Sequence, residues 1–173
     1  MAISLYDCSV TSFLQVLGAV SGFLEKGRAH LVEAGKDPEA LVATRLHDDM
    51  LPFAFQIASV AHHSAGALAG AKAGAFHPPG ALGQPTYADL QKWVADAQAA
   101  LKALTPDEVN ALEGQDVTFH LGTFQMPFTA EGFLLSFSTP NLHFHATTAY
   151  DILRQAGVPL GKRDYMGGLR LKK

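Results

Sequence analysis

Two histidines in the stretch 138–154 are the residues best suited to chemistry, because they sit with polar neighbours inside an otherwise apolar helical pattern. Asn141, His145 and Thr148 are four and three residues apart, so they share one face of a helix. His143 lies two residues from His145, and two residues turn a helix by about 200°. The two imidazoles therefore point in different directions, and we expect the face of Asn141 and His145 to be directed at the interior.

A second line of polar residues lies earlier in the chain than Asn141 and His145. Asp49, Gln56 and His63 are seven residues apart each time, so they lie nearly in one stripe of a helix. If the stripe faces inward, it meets Asn141 and His145 from a neighbouring helix, and such facing carboxylate and imidazole groups bind divalent metals in helical bundles. The alternative is that Asp49 caps the start of its helix while Gln56 and His63 are hydrogen-bonded or exposed.

Other constellations point to no chemistry. The chain has no nucleophile elbow, no phosphate-binding glycine loop and no C-x-x-C pair. Three glycines at a spacing of four permit close helix contact: Gly66, Gly70 and Gly74. We expect four further histidines to lie on the surface or in loops: His30, His62, His77 and His120.

Composition and charge indicate a single folded domain over residues 1–173. Hydrophobic residues make up 48% and charged residues 17%, which allows a full core and argues against disorder. A net charge of −3 argues against nucleic-acid binding. Cys8 is the single cysteine, which fits a reducing compartment. Polar residues interrupt the apolar N-terminus, so we expect a cytoplasmic protein with no membrane partner.

Periodicity supplies the elements that must position these residues. Apolar residues at three- and four-residue steps predict four long helices, over about 4–34, 47–71, 86–104 and 130–156. Thr86, with Asp89 three residues on, and Thr129 are the predicted caps of the last two. Alternation over 116–121 and 123–129 predicts a β-hairpin whose second arm is an edge strand, because Pro127 cannot donate a ladder hydrogen bond. We therefore predict an all-α fold, an antiparallel up-and-down four-helix bundle with a small β-hairpin before the last helix.

Two motifs, with the order of the elements, resemble an uncharacterised branch of the DinB/YfiT-like helical-bundle superfamily, a bacterial and fungal domain of unknown function. They are Asp49-Met50-x-Pro52-x-x-x-Gln56 and Asn141-x-x-x-His145-x-x-Thr148-Ala149-Tyr150, which continues to Gly161-Lys162-x-Asp164-Tyr165. The resemblance implies a four-helix bundle that is often dimeric. In the wider superfamily, a histidine early in the second helix and two from the last helix bind a divalent metal, and some members transfer low-molecular-weight thiols.

Carried over by position, Asp49, Asn141 and His145 take the three ligand places, for Zn or Ni. Two of the three imidazoles are thus replaced, and a neutral Asn is a weak ligand for either metal. One function that follows is a divalent-metal-dependent enzyme with its site between helices two and four. The alternative is a non-enzymatic small-ligand-binding or dimeric interaction protein with a metal-free site.

In either case we expect the pocket to be lined by polar residues around the ligand positions: Gln56, His63, His143, Thr148 and Tyr150. We also expect a homodimer. A third interpretation assigns the polar residues no ligand, and lets them specify the register of the helices.

Overall fold

The computed structural model describes residues 3–172, which form a mostly helical fold with a small three-stranded sheet. Its α-helices within these residues are α1 (Ser12–Glu33), α2 (Phe53–Ala61), α3 (Ala67–Ala73), α4 (Tyr87–Lys102), α5 (Pro106–Asn110), α6 (Ala130–Gly132), α7 (Thr139–Gln155) and α8 (Lys162–Met166). Its strands are β1 (Ala75–Phe76), β2 (Asp116–Leu121) and β3 (Phe124–Thr129). The predicted helical class with a small β component is confirmed at this level.

Three long helical segments each contain one π-helical turn. The turns are Asp7–Thr11 before α1, His62–Gly66 between α2 and α3, and Phe133–Ser138 between α6 and α7. The first long helix is therefore Asp7–Glu33, the second covers 53–73, and the last covers 130–155. A π turn adds a residue to one helical turn, so it changes which side chains face the core after it.

The second long helix begins at Phe53, six residues later than the sequence predicted. Pro52 has an extended backbone with ψ 168° and takes the N-cap position, so it does not lie in a first turn. A residue before proline is driven out of the helical region, which keeps Leu51 and the residues before it out of the helix. The first two helical N–H groups, of Phe53 and Ala54, donate instead to carbonyls of the preceding loop.

The core is formed where the long helices meet. α2 packs against α7 and α4, while α1 packs against α4, α7 and α8. Tyr87 is buried between them, stacks on Phe53 and donates its hydroxyl proton to the carbonyl of Leu24 at 2.8 Å. These contacts hold α2 and α7 side by side, which is the arrangement that builds the candidate site.

The sheet is larger than predicted. β2 and β3 form the expected antiparallel hairpin, and β1 adds to β2 as a parallel strand, in the order β1-β2-β3. Gly74, with φ 71°, ends α3 and turns the chain into β1. Because β3 has no neighbour beyond it in this sheet, Pro127 lies on an edge strand as predicted.

Two features of the chain ends complete the fold. The short helix α8 was not predicted, and it packs on α1 with an ion pair of 3.1 Å between Lys26 and Asp164. By length and composition alone, the helix Asp7–Glu33 could cross a membrane, and half of its most apolar window is buried within the fold. A core helix of a folded domain passes the same test, so the predicted absence of a membrane partner stays a prediction.

Candidate functional site

Gln56 is the residue of the second long helix that hydrogen-bonds to His145. Its amide nitrogen donates to the carbonyl of Leu51 at 2.8 Å, and a carbonyl can only accept, so the amide oxygen must face the other way. That oxygen lies 2.8 Å from Nδ1 of His145. Nδ1 therefore carries the proton and donates it, and Nε2 of His145 keeps its lone pair.

His63 stacks on His145, with ring centroids 5.8 Å apart and an angle of 14° between the rings. Its side chain is buried, and its Nδ1 has no hydrogen-bond partner among residues 3–172. Burial, together with the nearby His62 and His145, lowers the pKa of His63 to about 3. Burial also lowers the pKa of His145 to about 4. Both rings are neutral at pH 7.

We call Gln56, His63 and His145 the histidine site. Two aromatic rings border it, since Phe55 and Phe144 each meet the His145 ring edge to face, at 5.9 and 5.3 Å. Phe144 is 56% exposed, so the border is open to solvent. The site offers a neutral imidazole acceptor, Nε2 of His145, within an aromatic surround.

Asp49 lies in the loop before the second long helix, so that helix does not direct its side chain at the histidine site. Its side chain is 84% exposed, and a carboxylate oxygen lies 2.7 Å from Nδ1 of His47 in the loop before the helix. Asn141 is half-buried, and its amide nitrogen donates to the carbonyl of Phe137 in its own helix at 2.7 Å. Of the predicted inward face of the last helix, His145 is the residue that meets the second long helix, where its partner is Gln56.

The structure brings no complete set of metal-binding side chains together around His145 within residues 3–172. Within residues 3–172, no group of three or more His, Cys, Asp or Glu side chains is placed to hold a metal ion. Asp49, Asn141 and His145 as joint ligands therefore stay a prediction from the resemblance.

The other predicted pocket residues have partners outside Gln56, His63 and His145. His143 is exposed, and its Nδ1 lies 3.2 Å from the hydroxyl of Tyr165 in α8, which also accepts from Thr147 at 3.0 Å. Thr148 is buried and donates to a carbonyl of its own helix. Tyr150 packs edge to face on Tyr165. His143 thus faces away from His145, as the helical spacing predicted.

Sequence reasoning missed the role of His62. We expected a surface side chain, and it is half-buried and stacks on Phe76 with ring centroids 4.4 Å apart. His77 and His120 also stack on each other, at 4.9 Å. The signal that could have shown this is the run Ala-His-His-Ser-Ala-Gly, in which a π turn lets adjacent histidines both reach the interior side of the helix.

Comparison with known proteins gives the family. The family described as "Domain of unknown function (DUF1993)" matches residues 5–166. The chain belongs to this DUF1993 family. A crystal structure of a DinB family member protein from Shewanella denitrificans is 26% identical to the chain, covers 98% of it and 95% of its own length, and superposes with a TM-score of 0.83. None of the curated proteins matches the chain.

The resemblance to a DinB-like family of unknown function is thus confirmed. It assigns no activity to this DUF1993 chain, and metal dependence, homodimer formation and cytoplasmic location stay predictions. The geometry adds a neutral histidine, His145, which lies between the second and last long helices and whose tautomer is fixed by Gln56.

Proposed function

We propose that this DUF1993 chain is a non-enzymatic small-ligand-binding protein whose histidine site works without a metal. The observation that carries the proposal is the Gln56 side chain, which is bonded at both ends and so holds His145 with Nε2 as a free acceptor. A ligand that donates one hydrogen bond to Nε2 satisfies the chemistry of this site without any further cofactor.

The surroundings of Nε2 favour a neutral, largely apolar ligand. Because His63 and His145 are both neutral at pH 7, the site supplies no charge to pair with a charged ligand. Phe55 and Phe144 offer ring edges on which an aromatic body can pack. A small aromatic molecule with one O–H or N–H group fits both features.

The proposal includes an antiparallel up-and-down order of four long helical segments, with the site between the second and the last. The packing of α2 on α7 and α4, and of α1 on α4 and α7, supports this order. In such bundles, ligand sites are built from side chains on facing helices.

Phenol and anisole test the ligand. Both have an aromatic ring, and only phenol has a proton to donate. We expect phenol to bind about 2- to 12-fold more tightly than anisole, the effect of one hydrogen bond of about 0.5–1.5 kcal/mol, and to shift the nitrogen resonances of His145. In His145→Phe, which keeps a ring and removes the acceptor, the two probes should bind equally. His143→Phe is the matched control and should behave as the wild type.

A second candidate, a metal-dependent enzyme, is favoured by one detail of the same geometry. Metal-binding histidines usually donate their other N–H to an oxygen, as His145 does to Gln56. Elemental analysis of protein purified without a histidine tag separates the two. Stoichiometric Zn or Ni that is lost in His145→Ala and Asp49→Ala would overturn the metal-free proposal, and substoichiometric metal unchanged in both variants supports it.

A further inference from the structure

A groove of about 770 Å³ lies between the second long helix and α4, bordered by residues 75–82. Small side chains such as Ala61 and Ala65 line it along the second long helix, and Trp93 and His62 are among its aromatic lining residues. Its volume is within the range of about 300–1,000 Å³ that is typical of small-molecule sites. No residue of the histidine site lines it, and the two sites adjoin where His62 packs on His63, with ring centroids 5.6 Å apart.

His62 presents a hydrogen-bond acceptor whose tautomer is fixed. Its Nε2 lies 2.7 Å from the carbonyl oxygen of His77, and a carbonyl can only accept, so Nε2 carries the proton. Nδ1 therefore has a free lone pair. Within residues 3–172 no group donates to this Nδ1, and the atom is not among those buried without a partner, so it is reached by solvent.

A glycine keeps this acceptor uncovered. A Cβ atom at Gly66, one π turn after His62, would stand 3.1 Å from Nδ1, and both residues line the groove. The His62 ring itself is held in place on its face by Phe76, at a centroid distance of 4.4 Å and an angle of 26°. The acceptor is therefore both open and fixed in direction.

The lining of the groove is mostly apolar. Asp96 is the acidic residue in its lining, and Lys92 pairs with that carboxylate at 2.5 Å. Burial lowers the pKa of His62 below its ordinary value, which favours the neutral ring. A mostly apolar groove with a neutral acceptor at His62 favours a neutral occupant that has one donor.

We propose that this groove is a second binding site, which takes a small, flat, apolar molecule with one O–H or N–H group donated to Nδ1 of His62. The alanine and glycine side of the second long helix lets a planar ring approach closely, and Trp93 on α4 offers an aromatic face. The inference goes beyond the histidine site and does not depend on it.

The probes for the test are 2-naphthol and 2-methoxynaphthalene, which share a flat ring system and differ in the donated proton. Trp93 is the single tryptophan, so its indole N–H gives one resonance that reports on the groove. We expect 2-naphthol to shift it saturably, and to bind about 2- to 12-fold more tightly than 2-methoxynaphthalene.

Two variants assign the difference to His62. His62→Phe keeps the ring on Phe76 and removes the acceptor, so it should bring 2-naphthol to the affinity of 2-methoxynaphthalene. Gly66→Ala covers the acceptor and should act in the same direction, and it decides the question if His62→Phe does not fold. His145→Phe should leave the Trp93 titration unchanged, which separates this site from the histidine site.

Three results would overturn the proposal. They are the absence of a saturable Trp93 shift in the wild type, equal affinities of the two probes for the wild type, and a preference for 2-naphthol that survives in Gly66→Ala. The phenol test at His145 can succeed or fail independently of all three.

Discussion

Acid should destabilise the fold through His63, since its buried ring resists protonation. In the unfolded chain a histidine takes up a proton near pH 6.5. In the folded chain burial lowers the pKa of His63 to about 3. Between these two values the unfolded state binds more protons than the folded state, so stability falls as the pH falls. Above pH 6.5 both states are neutral at this ring and the effect vanishes.

The size of the stability loss follows from the pH range between the two pKa values of His63. Each pH unit below 6.5 costs about 1.4 kcal/mol for one fully affected histidine, so His63 alone lowers the free energy of unfolding by about 2 kcal/mol between pH 7 and pH 5. His145 acts in the same direction through its lowered pKa. Its contribution is smaller, because part of its ring is exposed and water screens the charge.

Urea unfolding at pH 7, 6 and 5 measures the effect in the wild type and in His63→Leu. The variant removes the titrating ring together with the unpartnered Nδ1, so at pH 7 we expect stability within about 1 kcal/mol of the wild type. Between pH 7 and 5 the variant should lose about 2 kcal/mol less than the wild type. His143→Leu, at an exposed position, should show the wild-type loss. Equal losses in the wild type and His63→Leu would refute the reasoning.

Three further predictions concern packing and hydrogen bonding, and urea unfolding measures each. Gln56→Leu should lower the free energy of unfolding by about 2–4 kcal/mol, because it leaves both a carbonyl and the N–H of His145 without a partner. Gly70→Ala should cost about 1–3 kcal/mol, since the new Cβ would stand 2.8 Å from the ring of Phe76. Gly18→Ala, at a helical position with nothing within 4 Å, should stabilise the fold by up to about 1 kcal/mol.

The two glycine variants serve as controls for each other, because both exchange glycine for alanine within a helix. A stabilising Gly70→Ala would mean that the second long helix and β1 are not in close contact. For the glutamine variant, Gln56→Glu keeps an acceptor for His145 and loses the donor to the Leu51 carbonyl. At pH 7 the free energy of unfolding of Gln56→Glu should therefore lie between those of the wild type and Gln56→Leu. If Gln56→Leu left the free energy of unfolding unchanged, that result would contradict the assigned hydrogen bonds.

The elements predicted correctly are those whose signals are local. Thr86 and Asp89 form the capping box that starts α4, and Thr129 caps the last long helix by accepting from the N–H of Gly132. The alternating strands and the edge position of Pro127 could also be read from the sequence. Each signal lies within a few residues of the backbone groups that it satisfies, so no tertiary contact is needed to interpret it.

The candidate site could be predicted only in part. The seven-residue stripe correctly grouped Gln56 with His63, and the spacing in the last helix correctly separated His143 from His145. Asp49 was included because the stripe was extended through Pro52, whereas the loop before the second long helix supplies carbonyls that favour a start at Phe53. The start of the helix thus depends on carbonyl groups several residues earlier in the chain, and the helical period does not predict them.

By itself, then, the sequence determined the helical class, the caps, the hairpin and the face of the last helix that points inward, since all of these depend on periodicity and local hydrogen bonds. The tertiary structure decided which side chain meets His145, the phase shift at the π turn His62–Gly66, the parallel addition of β1 and the groove beside α4. These depend on the packing of segments far apart in the chain. Packing fixes the tautomers of His62 and His145, and with them the acceptors on which both proposed sites rest.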